Sequence, residues 1–137
     1  DGVAVSAQRQ GLLPISQQAT IVLAALGYHD YEGIAVHDEE KPRLQRDLGQ
    51  NVWLILRNHG LLTVGSTVAD AFLAMYTIQR ACEIQVRAQR SELIEVTPAV
   101  LSGVQSNVVK VTMGIFGGLT WPALIRKLDR LDTSYRT

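Results

Sequence analysis

The chain has 137 residues, close to half of them apolar, and thirteen basic side chains balance thirteen acidic ones. That length suffices for one domain with a real core, while the neutral balance gives no electrostatic case for binding nucleic acid or an anionic membrane surface. No apolar run approaches the length of a bilayer span, and the single cysteine, Cys82, excludes an intrachain disulfide and suits a soluble protein in the reducing cytoplasm.

The opening stretch, DGVAVSAQRQ, lacks an initiator methionine and predicts one short helix ended by Gly11. Pro14 breaks any helix before it. Between there and residue 36 the pattern is mixed, with residues 20–22 and 28–36 leaning towards strand through their β-branched and aromatic content. DEEKPRLQRDLG reads as a solvated turn and a short helix, with Gly49 as its C-cap.

From Asn51 the pattern sharpens. NVWLILRN is a continuous apolar run, as expected of a strand covered on both faces. A turn at Gly60 leads to LLTVG, a second strand expected to run antiparallel to the first. Thr67 stands three residues before Asp70, a capping-box-like opening for a helix of about 24 residues, roughly 36 Å long. One of its apolar rows holds Val68, Ala71, Phe72, Met75, Ile78 and Cys82; another holds Leu73, Ala81, Ile84 and Ala88. Rows on two sides imply burial by the sheet on one and by something else, most simply a neighbouring subunit, on the other. Pro98 then opens AVLSGVQSNVVKVTMG, of moderate helical period, followed by a GIFGG loop. The final helix, TWPALIRKLDRLD, carries Trp121, Leu124, Ile125, Leu128 and Leu131 on one face and a solvated charged face opposite. No repeat, low-complexity tract or linker divides the chain.

Among candidate functional residues His59 is the sharpest. A histidine at the end of a buried strand, beside a glycine, is well placed to offer a nitrogen to a metal; the competing reading is a core-edge histidine satisfied by a backbone carbonyl. One imidazole does not make a site, since catalytic zinc takes about three protein ligands plus water. His29, in GYHDYEG, has carboxylates and tyrosines for company, the atom types of acid–base chemistry or metal ligation. Strand alternation, however, sends Asp30 and Glu32 to the opposite face from it, which favours a polar strand end. His37, among acidic neighbours, is read as solvated. GIFGG lacks the features of a nucleotide cradle, Ser6, Ser16 and Ser66 lack a nucleophile elbow, and Cys82 reads as packing.

The segments YHDYEGIAV, ILRNHGLLTVGSTVADAFLAMYTIQRACEIQV and WPALIRKLDRLDTSYR, in that order, resemble the class II aldolase/adducin family over essentially the whole chain. The resemblance implies a three-layer α/β/α fold around a mostly antiparallel central sheet. It also makes His59 a ligand of a divalent metal, Zn2+ above all. The family's other two metal histidines form a His-x-His pair that would fall upstream of Asp1, as would its acid/base glutamate and its phosphate-binding groups. Residues 1–137 are therefore expected to be the C-terminal portion of such a domain in a longer protein, inactive alone and with no catalytic residue assigned within it. Gln17 and Gln18 stand where the sugar-phosphate aldolases tend to carry His-Tyr, which weakens a specific fuculose-phosphate-type assignment. The implied activity is that of a metal-dependent carbon–carbon lyase, or a related epimerase or decarboxylase. Its substrate would be a small sugar phosphate or hydroxy-carbonyl compound, handled through a metal-stabilised enediolate. The alternative is a non-catalytic, adducin-like protein-interaction domain. Family enzymes are homotetramers with sites between subunits, so a homo-oligomer is expected.

Overall fold

The computed structural model describes residues 1–34, 38–104, 106–108 and 116–136. His37, the end of the strand expected over residues 28–36, much of the segment after Pro98 and the start of GIFGG lie outside the described residues. Three short strands form the sheet: β1 (Leu26–His29), β2 (Trp53–Leu56) and β3 (Gly60–Thr63), in the order β1-β2-β3. β2 and β3 form the expected antiparallel hairpin, with Leu54 opposite Leu62 and Ile55 opposite Leu61. β1 pairs with β2 in parallel, Leu26 opposite Trp53. The sheet is thus mixed where a mostly antiparallel one was expected. The connection between β1 and β2 contains a helix, α3 (Lys41–Leu48), and such a crossover returns the chain parallel to its start.

Side-chain alternation along the strands sorts the helices into layers. Ile55 is buried in the main core with Val5, Leu12, Ala19, Val22, Ile78, Ala81 and Cys82, and Trp53, Leu26, Tyr28 and Leu61 pack on it from the same face. Above that face lie α1 (Gly2–Ser6), α2 (Gln17–Leu23) and α4 (Val68–Ala88). Leu54, fully buried, points the other way, towards Gly27 and the backbone of Asp47 in α3. The described residues therefore make three layers, with α3 on one face of the sheet and α1, α2 and α4 on the other.

Helix boundaries depart from expectation in three places. Residues 20–22, expected in a strand, lie in α2. Ser16 is extended and its Oγ accepts from Ala19 N at 3.1 Å, capping a helix whose Ala19, Val22 and Leu23 turn to the core. The cap and the one-sided burial outweigh the β-branched content. α1 stops at Ser6, short of Gly11, and Ser6 Oγ bonds back to Val3 O, a local bond that competes with helix continuation. The last helix, α6 (Gly117–Leu131), begins within GIFGG rather than after it; α5 (Pro98–Leu101) is a single turn.

α4 opens at the expected cap: Thr67 Oγ1 accepts from Asp70 N at 3.1 Å. Its 21 residues bury the row Ala74, Ile78, Ala81, Cys82 and Gln85. The upper part of the expected row turns away from the sheet, Val68 being 74% exposed. Phe72 instead meets Trp121 of α6 edge-on, ring centroids 5.3 Å apart. The chain's own last helix thus covers part of the side of α4 expected to need a neighbouring subunit.

Candidate functional site

His59 sits in the turn of the β2–β3 hairpin, exposed, and no hydrogen bond or ion pair of its imidazole to another described residue is found. The core-edge alternative, an imidazole satisfied by a carbonyl, does not describe it. The turn itself is firmly held. His59 N donates to Leu56 O at 3.1 Å, Asn58 N to Ser6 O at 3.3 Å and Arg57 N to His29 O at 2.9 Å, so β1, β2 and the end of α1 all anchor it. Asn58 adopts φ 57°, a left-handed conformation that asparagine tolerates. Gly60 adopts φ 147°; there the glycine serves backbone conformation rather than close approach, since a Cβ would meet only Val3 Cγ2 at 3.7 Å. The start of the chain packs against the same place, Gly2 against Leu61 and Val3 against Gly60.

As donor chemistry, an exposed and unpartnered imidazole on an anchored turn fits a metal ligand. As a count it falls short: no group of three histidine, cysteine or carboxylate side chains among the described residues is arranged to hold a metal ion.

His29 lies elsewhere, on the α3 face, buried at 3% exposure. Its Nδ1 is 2.8 Å from Asp47 Oδ2, and its Nε2 is 3.4 Å from Glu40 Oε1 and 4.0 Å from Glu32 Oε1. Glu32 was expected on the opposite face; β1 ends at His29, so alternation no longer governs where Glu32 goes. The bond from His29, and next that from Arg46, hold the Asp47 carboxyl below its ordinary pKa, and Arg43 does the same for Glu32. Asp47 pairs with Arg46 and Glu32 with Arg43, while Glu40 lies against His29, so the cluster ties β1 to α3. The strand end is polar, as expected, with His29 buried and its carboxylate partners partly exposed. Cys82 packs as expected; burial pushes its thiol up to about 11.

Sequence reading passed over Gln85 and Arg57. Gln85 is fully buried in α4, its Oε1 accepting from Leu13 N at 2.7 Å and its Nε2 donating to Gly11 O at 2.8 Å and Gln8 Oε1 at 2.6 Å. Arg57, two residues before His59, stacks on Tyr28 at 4.3 Å from the ring centroid and donates from Nη1 to Gln8 O at 2.8 Å. It borders an open polar groove of about 400 Å³, together with Ser6, Arg9, Asp30, Tyr31 and Asn58. A separate cavity of about 280 Å³ by Trp53, Leu73 and Ala74 is almost wholly apolar and does not include the turn.

Comparison with known proteins places the chain among relatives. The family model for the class II aldolase and adducin N-terminal domain matches residues 1–86. A Pseudomonas aeruginosa protein whose name assigns it provisionally to aldolase class 2 is 54% identical over 140 residues, covering 98% of this chain and 54% of its own length. Alpha-adducin of Rattus norvegicus is 52% identical over 91 residues, 66% of this chain but 12% of that protein. The crystal structure of an aldolase II superfamily protein from Pseudomonas syringae matches with a TM-score of 0.91 at 42% identity, over 99% of this chain and 55% of that one. The chain spans about half the length of the bacterial relatives it matches.

Proposed function

The chain belongs to the class II aldolase and adducin family, and from that premise we propose that it is part of a metal-dependent carbon–carbon lyase, or a related epimerase or decarboxylase, with His59 as one ligand of a zinc-type ion. The substrate would be a small sugar phosphate or hydroxy-carbonyl compound. When bound, a divalent ion supplies Lewis acidity towards a carbonyl or alkoxide oxygen. The role of this chain's residues is to hold the imidazole of His59 still and in the open.

The observation that carries the reading is the geometry of the turn. His59 is exposed and has no competing side-chain partner among the described residues, on a hairpin pinned to two strands and α1. The packing of Gly2 on Leu61 and of Val3 on Gly60 supports it further, because polypeptide preceding Asp1 would leave the domain beside this turn. A His-x-His pair carried there would be delivered towards His59. In that arrangement residues 1–137 are the C-terminal portion of the metal-binding domain, and the missing ligands and acid/base groups come from upstream. Assembly as a homotetramer, with sites shared between subunits, and a cytoplasmic location complete the proposal.

Elemental analysis of the full-length protein tests it. About one divalent ion per subunit is expected, and His59→Ala should abolish binding, since two remaining imidazoles leave the ion under-ligated. Undiminished metal in the variant would remove His59 from the site. A wild-type protein free of metal would turn the assignment to the adducin-like reading, with which the 52% identity to rat alpha-adducin is compatible.

A further inference from the structure

Arg57 stands apart from the arginines that pair with carboxylates among the described residues. Arg43 pairs with Glu32, Arg46 with Asp47, and Glu83 with both Arg80 and Arg87. Arg57 is partly buried, yet among the described residues no carboxylate lies within ion-pair distance of it. Its protein contacts are the Tyr28 ring and the Gln8 carbonyl. These fix the plane of the guanidinium while using one of its five N–H donors. Tyr28 is in turn held through its hydroxyl, which accepts from Leu12 N at 3.1 Å. Partial burial makes a counter-charge worth more to this cation than to a fully solvated one, and the guanidinium is pre-oriented beside open space.

The space is the polar groove of about 400 Å³, within the range of small-molecule sites. Arg9 and Asp30 also line it, so its charged residues are two arginines and one aspartate. The Asn58 amide and the Tyr31 hydroxyl supply neutral polar groups, and Asp30 can accept from a hydroxyl. A planar guanidinium fork matches an oxyanion bidentately.

We propose that this groove is an anion subsite in which Arg57 grips a carboxylate or phosphate group of a small hydroxylated ligand. Reading that ligand as the substrate handled at His59 rests on the function proposed above; the subsite itself does not. It would lie two residues along the same turn from the metal ligand, so one anchored hairpin would set the distance between the anionic end of the substrate and its reacting end.

The test uses the full-length protein, with inorganic phosphate and glycolate as separate probes. Titration of either should shift the Arg57 Nε–H resonance in the wild type. A dissociation constant of about 1 mM is the strength expected of one such contact with a fragment-sized ion, and the tighter of the two probes identifies the anionic group. Arg57→Gln should weaken binding about tenfold or more, and Arg57→Lys, which keeps the charge but loses the fork, by less. No shift of the wild-type resonance by either ion, or equal affinity in wild type and a folded Arg57→Gln variant, would overturn the subsite. Metal content of His59→Ala is measured in parallel. Loss of metal with phosphate affinity retained supports both readings; retained metal with Arg57-dependent anion binding removes the metal ligand and leaves the subsite standing.

Discussion

Cys82 and Gln85 lie on the same buried row of α4, and burial acts on them in opposite ways. The thiol has only its charged form to lose, and desolvation raises its pKa to about 11. At neutral pH the nucleophilic thiolate is then scarce, and the core around Ile78 and Ala81 bars the reagent as well. An aromatic disulfide reagent should label native protein roughly 100-fold or more slowly than urea-unfolded protein; native labelling at the unfolded rate would put Cys82 on a surface. Gln85 retains every polar contact it needs, sewing the segment around Gly11 and Leu13 to the helix. Cys82 was legible in the sequence because it sat on an apolar row. Gln85 was not, because a polar residue in such a row looks like the row's edge until its partners, more than seventy residues away, are in place. His59 was legible for the converse reason, as a polar interruption between two strands; Arg57 beside it resembled any solvated strand end.

Among the elements, the joint between α4 and α6 is the most exposed to a single change. Asp70 serves both helices, its backbone N–H capped by Thr67 and its Oδ1 accepting from Gly117 N at 3.1 Å. At Gly117 the backbones approach so closely that a Cβ would sit 2.2 Å from Ala69 O. Gly117→Ala must therefore push α6 off α4, with an expected cost of about 1–3 kcal/mol from overpacking. Urea unfolding followed by tryptophan fluorescence, which reports on Trp121 beside Phe72, is the measurement, and an unchanged midpoint would contradict the contact. GIFGG reads as a loop from sequence because glycine is a poor helix former; the close crossing that requires Gly117 is a tertiary fact. The β2–β3 hairpin was legible because strand, turn and strand are neighbours in sequence. α2 was not, since its decisive features are a serine cap and a one-sided burial that appears only once α4 lies against it.

At the scale of the whole molecule, the three layers leave apolar surface uncovered. Val68 and Tyr76 on α4 stand 74% and 55% exposed, and Leu119 and Leu131 on α6 stand 58% and 73% exposed. α6 covers Phe72 in part but brings its own leucines to the surface. Large contiguous apolar patches are uncommon on soluble monomers, so light scattering on the full-length protein should give a symmetric homo-oligomer, a tetramer in the proposed reading, associating through α4 and α6. A stable monomer at micromolar concentration would refute the association and the shared site with it. The layering was expected from the family resemblance, the pattern of strands and helices alone giving an α/β domain. The parallel sense of β1 followed from neither, because it depends on where a long connection containing α3 returns.

That connection also decides what lies at the rims of the sheet. With the order β1-β2-β3, the outer sides of β1 and β3 each carry a row of backbone N–H and C=O groups without a ladder partner among the described residues. Such rims accept further strands without disturbing the pairs already made, in either direction along the sheet. They are equally indifferent to whose strand arrives, so two chains meeting edge to edge would begin a ladder with no natural end. Four residues per rim strand keep that hazard small, and any protein built around this sheet does best to occupy both rims early in folding.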